Sequence, residues 1–118
     1  MHCLGPTKKE KGVKFQSPIH GQQMMLTPER SIHIQNDIGA DIIMALDDVV
    51  SSVHNEKSRF EKATQRTLRW IDRCIAAHRR PSEQALFGII QGGLDHRLRN
   101  VCVEGAIARL QLDETNKD

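Results

Sequence analysis

The stretch that most constrains this chain is Asp41–Asp48, DIIMALDD, apolar without interruption from Ile42 to Leu46 and ending in two carboxylates. A short apolar run of this kind reads as a strand buried on both faces, as in a parallel sheet. Parallel strands present their chemistry at their carboxyl ends, where Asp47 and Asp48 stand. Ala85–Ile90, ALFGII, repeats the design and runs into Gln91-Gly92-Gly93. A long amphipathic segment separates the two runs, so the pattern is strand, helix, strand. The short crossover predicts adjacent, parallel strands with Asp47 and Gln91 at one shared end.

The segment between them is a helix by its period. Phe60, Ala63, Thr64, Thr67, Ile71, Cys74, Ile75 and His78 recur at i+3 and i+4, with Trp70 beside them. Lys57, Glu61, Lys62, Arg66, Arg69, Asp72 and Arg73 mark the opposite, exposed face, and Pro81 ends the segment. The stripe is read as core rather than as a cofactor box. Upstream, Thr27-Pro28-Glu29 is a helix start and Gly39 a stop, with Ile32, Ile34 and Ile38 as the expected apolar face. Val13–Phe15 and Met24–Leu26 flank Ser17–Gly21 and read as a hairpin with His20 in its solvated turn. Past the second strand, Asp95 is a cap for a last helix carrying Leu98, Val101, Cys102 and Gly105 on one face. Gly105 weakens that helix by about 1 kcal/mol relative to Ala. The expected organisation is a flexible arm over 1–12, one domain over 13–110 and a polar tail over 111–118.

Composition narrows the function classes. A chain of 118 residues is one domain at most. A formal net charge of +2 does not by itself argue for nucleic-acid binding. The local basic clusters, Lys8, Lys9, Lys11 and Lys14, then Arg79 and Arg80, read as solvated faces. The cysteines Cys3, Cys74 and Cys102 lack CxxC spacing, which points to a reducing compartment and to no structural metal site. With no signal-peptide pattern and no long apolar run, the expectation is a soluble, cytoplasmic protein.

At a shared strand mouth, a carboxylate from Asp47 accepts two N–H bonds, while the Gln91 amide both donates and accepts. A flat heterocycle with N–H, NH₂ and C=O along one edge, as in guanine and its relatives, fits that arrangement. Gly92 and Gly93 would allow backbone to approach such a base, since no Cβ intervenes. For Asp48 a structural role, capping a neighbouring helix or pairing with an arginine, stands evenly beside a role in binding.

Four segments together carry a resemblance: GVKFQSPIHG, DIIMALDDVV, RWIDRCIAAH and LFGIIQGGLD. From about Gly12 to Leu110 the chain closely resembles the tRNA-guanine transglycosylase, or queuine tRNA-ribosyltransferase, family, and its eukaryotic catalytic subunits in particular. The resemblance implies an α/β fold, a fragment of a TIM (β/α)8 barrel made of an N-terminal β-hairpin and two βα units. It implies tRNA as partner, and exchange of guanine at the wobble position for queuine in eukaryotes or a 7-deazaguanine precursor in bacteria. Asp47 and Gln91 match the family's base-recognition carboxylate and amide.

Elsewhere the chain departs from the family pattern. The family has an aspartate and a Ser-Gly-Gly-Phe segment before the region that begins here at Gly12, where this chain reads MHCLGPTKKEK. The family also continues into a Gly-rich strand end, a nucleophilic aspartate, a basic tRNA-binding stretch and a Cys/His zinc site, where this chain reads LQLDETNKD. His20 stands where the family usually has an acidic or similar polar residue. The resemblance therefore implies base-recognition residues without catalytic carboxylates, and no cofactor in this chain, zinc being held by ligands absent from residues 1–118. Two rival readings stand beside a partial enzyme. One is a non-catalytic interaction protein that pairs with a full-length transglycosylase subunit; the other is an unstable product of a truncated gene.

Overall fold

The described residues fold as two small sheets and three helices: β1 (Thr7–Lys9), β2 (Gly12–Gln16), β3 (Gln23–Leu26), α1 (Pro28–Ile38), β4 (Ile42–Met44), α2 (Lys57–Ala77), β5 (Ala85–Phe87) and α3 (His96–Thr115). The computed structural model describes residues 7–51 and 53–115, with side chains from 10 to 51 and from 53 to 110. The arm expected over 1–12 is in part outside the described residues and in part a strand. Thr7–Lys9 pair antiparallel with Gly12–Lys14, and β2 pairs antiparallel with β3, giving the order β1-β2-β3. A polar edge strand has no apolar period to betray it. What holds this one lies far off in sequence: Trp70 Nε1 and Arg73 both donate to the Glu10 carbonyl, at 2.9 and 2.8 Å. The β2–β3 hairpin forms as the sequence predicts, and His20 is exposed in its turn.

Helix α1 starts and stops where its caps dictate. The Thr27 hydroxyl accepts from Arg30 N–H at 3.1 Å, and Gly39 closes the helix in the left-handed region at φ 84°. Its buried face differs from the expected one. Pro28, Ile32 and Asn36 point inward, whereas Ile34 and Ile38 are exposed. The i, i+4 spacing of Ile34 and Ile38 is helical, but an aligned polar residue, Asn36, holds the inner position because it has partners there.

β4 and β5 are adjacent and parallel, with Ile42 opposite Ala85, Ile43 opposite Leu86 and Met44 opposite Phe87. They are shorter than the apolar runs suggested, since the chain leaves the ladder after Ala45 N–H reaches the Phe87 carbonyl at 2.9 Å. The described residues cover one face of this pair. Ile43 and Ala45 are buried, while Ile42, Met44 and Phe87 remain 54%, 41% and 49% exposed. The covered face meets the helices in a single core of Ile32, Ile43, Ala45, Leu68, Ile71, Cys74, Cys102 and Ala106. A fully buried Ile or Leu contributes roughly 1.5–3 kcal/mol over an exposed one.

The stripe read along α2 is its buried face from Phe60 to Cys74, widened by Leu68 and Trp70, while Ile75 is half-buried and His78 stands just past the helix end. Its arginines are less free than expected. Arg69 is half exposed, but Arg66 and Arg73 retain only 19% and 30% of their side-chain exposure because acids from other elements cover them. Asp95 caps α3 by accepting from the N–H groups of Arg97 and Leu98, at 2.9 and 3.2 Å. These bonds hold the Asp95 carboxyl below its usual range. At Gly105 a Cβ would stand 2.8 Å from the Leu68 side chain, so the glycine that weakens the helix lets α3 lie close on α2. α3 continues through Thr115, past the expected tail boundary at 111, and 116–118 lie outside the described residues.

Candidate base-recognition site

Parallel pairing carries Asp47 and Gln91 out on the same side, each a few residues beyond its strand. Both are half-buried, and they touch: Gln91 Nε2 donates to Asp47 Oδ2 at 2.5 Å. A carboxylate and a primary amide from neighbouring strand ends thus form one hydrogen-bonding edge. The loops that follow the strands expose the apolar side chains Val49, Val53 and Leu94. Such a mouth offers directional polar groups flanked by apolar surface, the combination that orients a flat polar heterocycle.

Asp48, one residue on, has another task. Its side chain is fully buried, and Arg59 grips it with two bonds, at 2.9 and 2.6 Å, while Arg66 adds a third at 3.1 Å. Its backbone N–H donates to the Thr67 hydroxyl at 3.0 Å. The bond to Asp48 raises the Arg59 pKa. Of the readings open for this residue, the structural one, as a partner of arginine, is what the geometry contains.

The two glycines have an internal reason to be glycine. Gly93 sits at φ 58°, and a Cβ there would lie 2.5 Å from the Phe60 ring. A Cβ on Gly92 would lie 2.6 Å from the Arg99 nitrogen. The turn after β5 is therefore pressed against the start of α3 and against α2, which fixes where Gln91 emerges.

Two hollows flank the small sheet. One of about 380 Å³ lies between the loops at the carboxyl ends, lined by His54, Asn55, Phe60, Gly92 and Leu94 among others. The other, of about 500 Å³, lies at the amino ends, beside Asp41, Gln84, Ala85 and Phe87. Asp47 and Gln91 line neither hollow; parallel-sheet geometry places ligand chemistry at the carboxyl ends, so their mouth is the candidate site.

Sequence reasoning missed a polar cluster beneath the amino ends. The Asn36 amide donates to Gln84 Oε1 at 2.8 Å and meets His78 Nδ1 at 3.0 Å, and Gln84 Nε2 donates to the carbonyls of Gln35 and Ala40. The neighbouring Gln35 amide bonds both the N–H and the carbonyl of Met44, at 2.9 and 3.0 Å, as a further strand would. A buried Asn inside an apolar helix face was the one available signal.

The resemblance implies zinc in the family. Among the described residues no three His, Cys, Asp or Glu side chains converge to hold a metal ion. Cys74 and Cys102 lie in the core, where burial pushes the Cys74 thiol up to about 11 and raises that of Cys102 as well. The described residues therefore do not fit a zinc site. No helix among them is long and apolar enough to cross a membrane.

Comparison with known proteins agrees with the motifs. Residues 1–114 match the family model described as Queuine tRNA-ribosyltransferase. The queuine tRNA-ribosyltransferase catalytic subunit of Schizosaccharomyces pombe is 55% identical over 103 residues, covering 87% of this chain and 25% of the relative. The queuine tRNA-ribosyltransferase of Synechococcus elongatus is 50% identical over 105 residues, covering 89% and 26%. That of Nostoc is 56% identical over 90 residues, covering 76% and 24%. The chain spans about a quarter of the length of these curated relatives.

Proposed function

The chain belongs to the queuine tRNA-ribosyltransferase family, and on that premise we propose that Asp47 and Gln91 grip the hydrogen-bonding edge of a guanine-type base. The observation that carries this reading is their contact on adjacent parallel strand ends. The Gln91 amide donates to the Asp47 carboxylate. An entering base would replace that bond, giving Asp47 its N–H and NH₂ groups and Gln91 its carbonyl. Gly92 and Gly93 let the backbone after Gln91 pack against Arg99 and Phe60, and so set where Gln91 and the adjoining backbone meet the base.

In the full reaction a carboxylate attacks ribose C1′ of the wobble nucleotide, guanine leaves with the bond electrons, and the tRNA is held covalently. The incoming base, queuine or a 7-deazaguanine, then displaces the enzyme carboxylate. Neither aspartate at the carboxyl end of DIIMALDD suits the attacking role. Asp47 faces the base edge, on the wrong side of the glycosidic bond, and Asp48 is enclosed by two guanidinium groups. The nucleophile, the proton-managing acid and the zinc ligands are assigned to family segments outside residues 1–118, and the setting to cytoplasmic tRNA modification. The uncovered side of β4–β5, with Ile42, Met44 and Phe87, suits the interior of a TIM barrel of which this chain forms two βα units. The same uncovered side favours a second reading, association with a transglycosylase subunit that supplies the missing layer.

Titration of the 118-residue chain with 7-deazaguanine tests the base-edge reading, alongside transfer of radiolabelled guanine into tRNA bearing a wobble guanosine. Binding that disappears in Asp47→Ala and Gln91→Ala, with no transfer above a protein-free control, is the expected result. A cooperatively folded chain that binds no base would sink the reading. Transfer that depends on Asp47 would show that the roles are wrongly assigned.

A further inference from the structure

The end of β5 raises a question of support. Gly88–Gln91 have left the ladder with β4, yet Gln91 must be held well enough to place its amide on Asp47. Its backbone N–H donates to the Cys102 sulfur at 3.3 Å, and that sulfur lies 4.0 Å from the Ile89 carbonyl. One thiol from α3 thus spans alternate residues of the strand extension, accepting from one and facing the acceptor of the other, as a neighbouring strand would. The device parallels Gln35, whose amide bonds both backbone groups of Met44 on β4. Cys102 is fully buried in the core that fixes α3, so its position is set by packing and not by the loop it supports.

We propose that Cys102 is a positioning residue, which holds the Ile89–Gln91 segment in the register that sets the Gln91 carboxamide against Asp47. The proposal rests on the base-edge reading for its consequence, but not for its geometry. Burial raises the thiol, so at neutral pH it stays protonated and can donate toward Ile89 while accepting from Gln91. A purely apolar side chain would fill the space and supply neither contact. Serine keeps both functions with a shorter reach.

The test uses the ¹⁵N-labelled 118-residue chain as wild type, Cys102→Ala and Cys102→Ser. Hydrogen exchange of the Gln91 backbone amide, the resonances of its side-chain NH₂ and affinity for 7-deazaguanine are read together. In Cys102→Ala, Gln91 N–H exchange should quicken about three- to ten-fold, the equilibrium weight of one hydrogen bond. The Gln91 NH₂ signals should move, while the amide of Ile71 in α2 keeps its rate. Affinity for the base should fall by a similar factor, and Cys102→Ser should restore part of each change. Unchanged Gln91 signals in Cys102→Ala would overturn the proposal, and so would a uniform quickening of all core amides, which marks a merely structural residue. Should the wild type bind no base, the base-edge reading fails, while Gln91 exchange and resonances still decide the role of Cys102.

Discussion

Asp47 and Asp48 are chemically identical neighbours with opposite surroundings. Asp48 turns back into the protein, fully buried, and closes a network with Arg59 and Arg66 that continues through Glu10 to Arg69. Asp47 turns to the strand mouth and meets a neutral amide from the next strand. One carboxylate joins the first loop to α2; the other presents a hydrogen-bonding edge. Asp47 and Asp48 lie past the end of the ladder, where strand alternation no longer holds: Ile43 and Ala45 are buried, yet it is Asp48 and not Asp47 that turns inward, so the DD pair serves both duties at once. Identity of residue says little about role here; the charge of the partners says more.

The comparison breaks most visibly at Asp48. Asp48→Ala should destabilise the fold by about 3 kcal/mol, near the low end for breaking a buried pair because both guanidinium groups keep some contact with water. Tm should fall by roughly 10 °C for a domain of this size. A variant that melts like the wild type would show that the arginines are equally content in water, and that the network is not a fastening.

Acid sharpens the comparison from the outer end of the same network. The hydrogen bond from Arg69 is the main cause that lowers the Glu10 carboxyl from 4.5 to about 2, Coulomb attraction to Arg69 and a bond from Arg66 adding to it against a desolvation cost. A folded pKa below the unfolded one means the stabilisation is fully present above about 4.5 and is lost as pH falls toward 2. The Glu10 side chain is 54% exposed, so screening keeps the effect below about 1 kcal/mol. Denaturation of wild type and Glu10→Gln should therefore differ above pH 4.5 and converge toward pH 2. A constant difference across that window would assign the contribution to packing or shape instead of charge.

What was legible in the sequence follows the range of the forces involved. Caps and periodicity are local, so Thr27, Gly39, Asp95 and the α2 stripe stand where the sequence puts them. The parallel pairing of β4 and β5 and the meeting of Asp47 with Gln91 also follow, because a short crossover leaves few alternatives. Partners far apart in the chain leave no local trace. Arg66 and Arg73 look like solvated charges until Glu10, Glu29 and Asp48 arrive from other elements. Asn36 looks misplaced on α1 until Gln84 and His78 reach it from more than forty residues away. Exposure of Ile42 and Met44 was illegible for another reason. Their sequence encodes a strand covered on both sides, and the described residues supply a layer on one side.

The smallest expected effect on stability belongs to Asp47, and it carries the functional half of the comparison. Asp47→Asn keeps the size of the side chain and a carbonyl oxygen that can still accept from Gln91, at a half-buried site. Substitutions of this kind away from a buried charge usually change stability by less than about 0.5 kcal/mol. Chemical denaturation should therefore place Asp47→Asn with the wild type, while Asp48→Asn, which takes from Arg59 and Arg66 the carboxylate they share, falls well below both. Base binding should respond in the opposite order. An asparagine offers one acceptor where the carboxylate offers two, so it cannot take both N–H groups of a guanine edge, and affinity should drop by about ten-fold or more for the lost charge-assisted bond. If Asp47→Asn instead unfolds the chain as readily as Asp48→Asn, the two aspartates are parts of one fastening. The division of labour at the end of β4 would then be an accident of side-chain direction.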